Sequence, residues 1–275
     1  MLVEFFGLPG SGKSTMSRCV ADRLRTQGLY VDETTYEIDH RHRAVARWAL
    51  KAVRILLFAI AHPSRALSGS AAVLSTDQST WADLGKSLFN WLFVMSVASR
   101  RRPHDRVTIL DQGLAQALWS VDFAARRQAG LDRMLTAVQQ PAIKPDLVIY
   151  VRTNLQSVGR RLTARTDRAS RLDPFGCDVA ALQRRHAQNE VIVQKLRSGG
   201  IRVIEVENDE RQHLAAGAIL IGNSILAILA QKKHGPKARS FMLHPGSERC
   251  QARRDEPGTS EDSSPPYRQN VRRVP

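Results

Sequence analysis

"LVEFFGLPGSGKSTMSRCVADRLRTQG", residues 2–28, joins an apolar run to a helical pattern through a glycine-rich loop. Leu2 to Phe6 is a short β-prone apolar run bounded by Gly7, the pattern of a buried parallel strand. From Lys13 onward Met16, Val20 and Leu24 recur at helical spacing, and Gly28 supplies a stop. Between the two, Gly7 to Ser14 spell G-x-x-x-x-G-K-S, and strand, glycine loop and helix are the context that this phosphate-binding pattern requires.

The chemistry follows from backbone geometry. Gly7, Gly10 and Gly12 let successive N–H groups point at an anion, and the helix start adds its positive dipole end. Gly7, Leu8, Pro9, Gly10, Ser11, Gly12, Lys13, Ser14 and Thr15 are therefore the expected ATP cradle. Lys13 would reach the β- and γ-phosphates, Ser14 would ligate Mg²⁺, and Thr15 offers a second hydroxyl near the α-phosphate.

Around that start, apolar runs alternate with amphipathic stretches. Strands are expected at 29–33, 106–113, 145–151 and 200–208, and helices near 41–61, 83–101, 114–138, 155–166, 178–198 and 210–231. This order predicts βαβ units: a three-layer α/β/α P-loop NTPase with a five-stranded parallel sheet. Residues 232–275, rich in Pro, Gly, Ser and charge, read as a disordered basic tail behind a folded domain of residues 1–231.

The 275 residues are 43% apolar and carry a net charge of +15. The tail holds ten of the Lys and Arg against five Asp and Glu, so most of the surplus lies in the domain. That surplus suits anionic ligands: nucleotides, nucleic acid or an acidic membrane face. Aromatics are 6%, with no interleaving of rings and basic residues, so a nucleic-acid partner is not expected. Cys19, Cys177 and Cys250 lie far apart without a CxxC pair, which argues against a structural zinc site. With a start that runs straight into a strand, they set a cytoplasmic expectation.

"ILDQG" closes the third strand, where P-loop proteins place a carboxylate beside the metal or the attacking group. Asp111 could bind Mg²⁺, orient it through water, or accept the acceptor's proton. After the fourth strand, Arg160, Arg161, Arg165, Arg168 and Arg171 recur at helical spacing, where planar forks match phosphate oxygens. A mobile lid over residues 155–172 fits this pattern. Arg161, Arg165 and Arg168 are the expected substrate contacts, with Arg165 stabilising the transferring phosphoryl group.

"GLPGSGKST", "DET", "LDQG", "PDLVIYV" and "RRLTARTDRASRLD" together resemble the P-loop nucleoside and nucleotide kinases, and most of all thymidylate kinase-like proteins, over about residues 1–230. The resemblance implies an ATP- and Mg²⁺-dependent phosphotransferase with a small-molecule acceptor. Two positions depart from the family. Gln112 follows Asp111 where thymidylate kinases have an Arg that contacts the acceptor's phosphate, and the Arg-Glu-Pro after the second strand is missing. Asp32 or Glu33 could still stand near the acceptor hydroxyl as a base. The acceptor class therefore stays open among nucleotides, nucleosides and sugar derivatives. The competing reading is a regulatory P-loop ATPase without a small-molecule acceptor.

An apolar helical insert, about residues 41–105, interrupts the pattern. Arg43, Arg47, Lys51 and Arg54 form one basic stripe on its first helix, and Trp48, Trp91 and Phe93 lie among the apolar residues. Neither helix offers 18 uninterrupted apolar residues, so no transmembrane span is expected there. Two readings follow: a lid and core layer over the acceptor pocket, or an interfacial surface that grips acidic lipid headgroups. A dimer is compatible with both.

Overall fold

The computed structural model describes residues 1–100, 106–164, 172 and 178–234, all within the unit Met1–Gly235. Its strands are β1 (Leu2–Phe6), β2 (Tyr30–Asp32), β3 (Arg106–Leu110), β4 (Leu147–Arg152) and β5 (Val203–Glu207). They form one parallel sheet in the order β2-β3-β1-β4-β5. Strand alternation divides the core in two. Val3, Phe5, Val107, Ile109, Ile149 and Val151 pack against α1 (Lys13–Thr26) and α10 (Arg211–His234). Leu2, Phe6, Leu110, Val148 and Tyr150 point the other way. They meet α5 (Trp81–Ala98), α6 (Leu114–Asp122), α7 (Gln128–Val138) and α9 (Val179–Ser198). The three-layer α/β/α arrangement is thus built by the period-2 pattern of each strand.

The helical inventory exceeds the sequence expectation. Beyond α3 (Ala44–Ala61) and α8 (Leu155–Thr163), α2 (Thr34–Arg41) and α4 (Pro63–Leu74) appear on either side of α3. The helix expected over 114–138 is broken into α6 and α7. The cause is tertiary: Thr76 O accepts from both Arg126 N and Arg127 N, and Gln78 forms a bridge with Ala125. No Gly or Pro marks the break. At the chain's far end α10 runs to His234, past the boundary expected at 231. It is long and apolar enough to cross a membrane, yet Ala218, Ile221, Ile225 and Leu229 are buried against α1 and the sheet. The lid arginines Arg165, Arg168 and Arg171 and residues 235–275 of the expected tail lie outside the described residues.

The two helices of the apolar insert have opposite fates. In α5, Trp91, Phe93, Val94, Met95 and Val97 are buried, so it is a core helix and its Trp91 and Phe93 are withdrawn from any surface. In α3 only Phe58 is fully buried. Of its basic stripe, Arg47, Lys51 and Arg54 are partly buried and Arg43 is exposed. Lys51 Nζ lies 2.6 Å from Asp39 of α2 and 4.8 Å from the Phe93 ring centroid, and Arg47 Nη1 donates to Asp39 O at 3.3 Å. Arg54 is half-buried, and burial lowers its pKa. Two of the cations that the lipid-gripping reading drew on, Arg47 and Lys51, are thus engaged by Asp39.

Candidate active site

The sheet order sets the site. β1 is central, with β3 beside it in register, Glu4 opposite Leu110. Gly7 and Asp111 therefore leave the sheet together at its carboxyl edge, where parallel α/β proteins bind ligands. Gly12 caps α1 with φ +89, a left-handed conformation that side chains disfavour. At Gly7 an added Cβ would lie 2.5 Å from Val151 O. The loop is thus held against its neighbours as tightly as glycine permits.

Its outward carbonyls are tied down. Ser11 O accepts from Asn208 Nδ2 at 2.7 Å, Thr153 Oγ1 at 3.1 Å and Arg161 Nη1 at 3.4 Å. Arg161 also donates to Gly10 O, Asn208 O and Asp209 O. With carbonyls anchored outside, the start of α1 turns its positive dipole end to the concavity. Lys13 Nζ donates to Gly7 O at 2.8 Å and Leu8 O at 2.9 Å, which curls it over the loop.

Asp111 is buried between two hydroxyls. Ser14 Oγ donates to Oδ2 at 3.2 Å, and Thr35 Oγ1, from the first turn of α2, donates to Oδ1 at 2.8 Å. Two hydroxyls and one carboxylate are hard oxygen donors, a partial set of the kind Mg²⁺ accepts when phosphate oxygens and water complete its shell. The residues fit the metal. Among the described residues no cluster of three His, Cys, Asp or Glu could hold a metal ion.

Glu33 is not where the sequence expectation put it. Its carboxylate pairs with Arg25 Nη2 at 2.7 Å, and it lines no part of the cavity beside the loop. Burial raises its pKa, with Arg25 opposing. Asp32 accepts from Thr34 Oγ1 at 2.5 Å. Of the expected residues, then, the structure brings together the loop, Asp111 and Arg161, and leaves Glu33 apart.

Opposite the loop stands a second wall. A cavity of about 620 Å³ runs from Pro9, Gly12, Lys13 and Ser14 to side chains from three helices. Trp48 comes from α3, Lys86 and Asn90 from α5, and Gln116 and Ser120 from α6. Asp83 also reaches it, although its carboxylate accepts from Thr80 Oγ1 in the N-terminal cap of α5. Gln112 lines it where the family resemblance would put an arginine. Gln116 is only 8% exposed, and its Oε1 is buried without a hydrogen-bond partner. Thr35, Asn208, Lys86, Asn90, Gln116 and Ser120 were not singled out in the sequence, whereas Trp48 and Gln112 were, and one reading of the insert set its helices over the acceptor pocket. The missed signal was a polar residue every third or fourth position on otherwise apolar helices: Lys86 and Asn90, Gln116 and Ser120.

Beneath the site, Glu4 of β1 is fully buried. Its Oε1 accepts from Ala115 N at 2.5 Å and Gln116 N at 3.4 Å, which caps the start of α6 just after Asp111-Gln112-Gly113. Burial pushes its pKa up to about 7 despite those amides.

No protein-family model and no curated protein sequence matches the chain. Solved structures similar to it include a deoxyadenosine kinase from M. mycoides with products dCMP and a flexible dCDP, at 14% identity and a TM-score of 0.44, covering 83% of this chain and 100% of that one. The same enzyme with bound dCTP gives 13% and 0.41, with 82% and 100% covered. A shikimate kinase from Acinetobacter baumannii in complex with shikimate gives 16% and 0.42, with 82% and 93% covered.

Proposed function

We propose that the protein transfers the γ-phosphoryl group of ATP to a hydroxyl of a small, uncharged, polyhydroxylated acceptor such as a nucleoside or a sugar derivative. The observation that carries this reading is the shared cavity: the phosphate loop forms one wall, and a polar wall from α3, α5 and α6 faces it. A regulatory ATPase without an acceptor needs only the first wall.

In this reading the loop amides and Lys13 hold the β- and γ-phosphates, and Ser14, Asp111 and Thr35 supply the metal's protein-side oxygens. Mg²⁺, when bound, would neutralise charge on the β- and γ-oxygens. The second wall orients the acceptor hydroxyl in line, so catalysis comes from positioning and electrostatics. Trp48 offers a flat face for a ring, and Asn90, Gln112, Gln116 and Ser120 offer neutral hydrogen bonds. Lys86 is the one cation that wall presents among the described residues, and Gln112 replaces the arginine that a phosphorylated acceptor would use. That balance favours an uncharged acceptor over a nucleoside monophosphate.

The test is transfer of label from γ-labelled ATP by the full chain, with Lys13→Ala as blank. The panel holds nucleosides, sugars, aminoglycosides and nucleoside monophosphates. Label on an uncharged acceptor, lost in the variant, is the expected result. Label on monophosphates alone overturns the acceptor class, and Mg²⁺-ATP binding without transfer to any of them overturns the kinase reading.

A further inference from the structure

Of the three arginines expected to contact substrate, Arg161 alone lies among the described residues. A guanidinium carries five N–H groups, four of them on its two terminal nitrogens. Nη1 donates to Gly10 O at 3.3 Å and Ser11 O at 3.4 Å, and Nη2 donates to Asn208 O at 3.0 Å and Asp209 O at 3.2 Å. All four acceptors are main-chain carbonyls, two in the phosphate loop and two in the turn between β5 and α10. Neighbouring bonds tie the same segments together. Ser11 O also accepts from Asn208 Nδ2 and Thr153 Oγ1, and Asp209 Oδ1 accepts from Asn154 N at 2.6 Å. The fit leaves no slack. A Cβ on Gly12 would collide with Asn208 Nδ2, and one on Gly10 would lie 3.4 Å from both Leu162 Cγ and Val158 O of α8.

We infer that Arg161 is a positioning residue: it fixes the shape of the phosphate loop through these carbonyls and does not touch the bound phosphates. The inference rests on the loop being the phosphate site. A trans peptide points its N–H away from its carbonyl, so the donors on Ser11 O set the direction of Gly12 N–H. To reach a phosphate oxygen with either terminal nitrogen, Arg161 would have to release carbonyls that then need other donors. Lysine is no substitute, because a compact ammonium cannot span two carbonyls in the loop and two in the turn as a planar fork does.

Calorimetric titration of the full chain with ATP, ADP and inorganic triphosphate, each with Mg²⁺, tests this. Arg161→Gln should weaken all three by one common factor, about tenfold or more, and Arg161→Lys should lose nearly as much. Asn208→Ala, which removes a neutral donor from the same Ser11 carbonyl, should also weaken all three alike. Arg202→Gln, at the opposite end of β5, is the charge control and should leave them unchanged. A loss confined to ATP overturns the inference in favour of a γ-phosphate contact, and a loss absent with triphosphate does so in favour of a base contact. Full binding by Arg161→Lys overturns it in favour of a point charge. In the ligand-free chain, Arg161→Gln should speed amide exchange at residues 8–12 and leave the sheet as in the parent; unchanged exchange at 8–12 overturns the inference. A parent that binds none of the three probes overturns the phosphate-site reading and this inference with it, whereas uneven losses in a parent that binds them overturn the inference alone.

Discussion

Helices α3 and α5 are both 18 residues long and both apolar, and the fold uses them in opposite ways. α5 buries Trp91, Phe93 and Met95 in the core, and its Lys86 and Asn90 line the cavity. α3 turns its cations inward and its aliphatic residues outward. The difference comes from their neighbours. Behind α5 lies the apolar surface of α6, and Gly69 of α4 stands so close to Trp91 and Met95 that a Cβ there would touch both. Behind α3 lies Asp39, an anion needing a partner. A helix's hydrophobicity therefore does not say which face is buried; the charges already in place on the neighbouring element decide it.

Substitutions can break this contrast at several strengths. Trp91→Ala, in the fully buried part of α5, should cost about 3–5 kcal/mol in denaturant unfolding. Leu56→Ala on α3, read where the chain is monomeric, should stay within about 0.5 kcal/mol. Equal losses would mean that α3 is packed as α5 is.

A second contrast concerns how charge is buried. Lys51 has its counter-ion in Asp39, whereas Glu4 is fully buried with helix amides alone. Because burial raises the Glu4 carboxyl to about 7 from its ordinary 4.5, the folded state holds a proton that the unfolded chain releases. Its contribution is complete below about pH 4.5 and is lost as pH climbs through about 7, a loss of about 3 kcal/mol. Glu4→Gln should remove that slope from the pH profile of unfolding free energy. A slope that persists in the variant would assign it to other groups. Asp39→Asn is expected to have a smaller effect, about 1 kcal/mol, with faster amide exchange confined to α2 and α3.

The parts of the site legible in the sequence are those fixed by local backbone geometry. The G-x-x-x-x-G-K-S loop is one such part because its glycine conformations leave few alternatives, and Asp111 is another because it ends an apolar strand. Most of the second wall was illegible because its residues come from three helices, with Trp48 and Ser120 72 positions apart, and only packing brings Trp48 to Gln116. Thr35 was hidden for a similar reason: its partner Asp111 lies 76 residues away. Both stripes of α3 could be read, but the sequence does not say which faces in until Asp39 is placed. The break between α6 and α7 left no local trace, since the carbonyl of Thr76, in the loop after α4, accepts from Arg126 N and Arg127 N there.

Phosphotransfer as proposed requires the phosphate loop and the polar wall to act on one substrate pair. The most direct measurement is diffraction from crystals of the full chain grown with Mn²⁺ and a non-hydrolysable ATP analogue, with the anomalous signal locating the metal. The account predicts Mn²⁺ against Ser14 Oγ and the Asp111 carboxylate, and a γ-phosphate aimed at the wall of Asn90, Gln116 and Ser120. A γ-phosphate directed away from that wall, or a metal without Ser14 and Asp111 beside it, would contradict it.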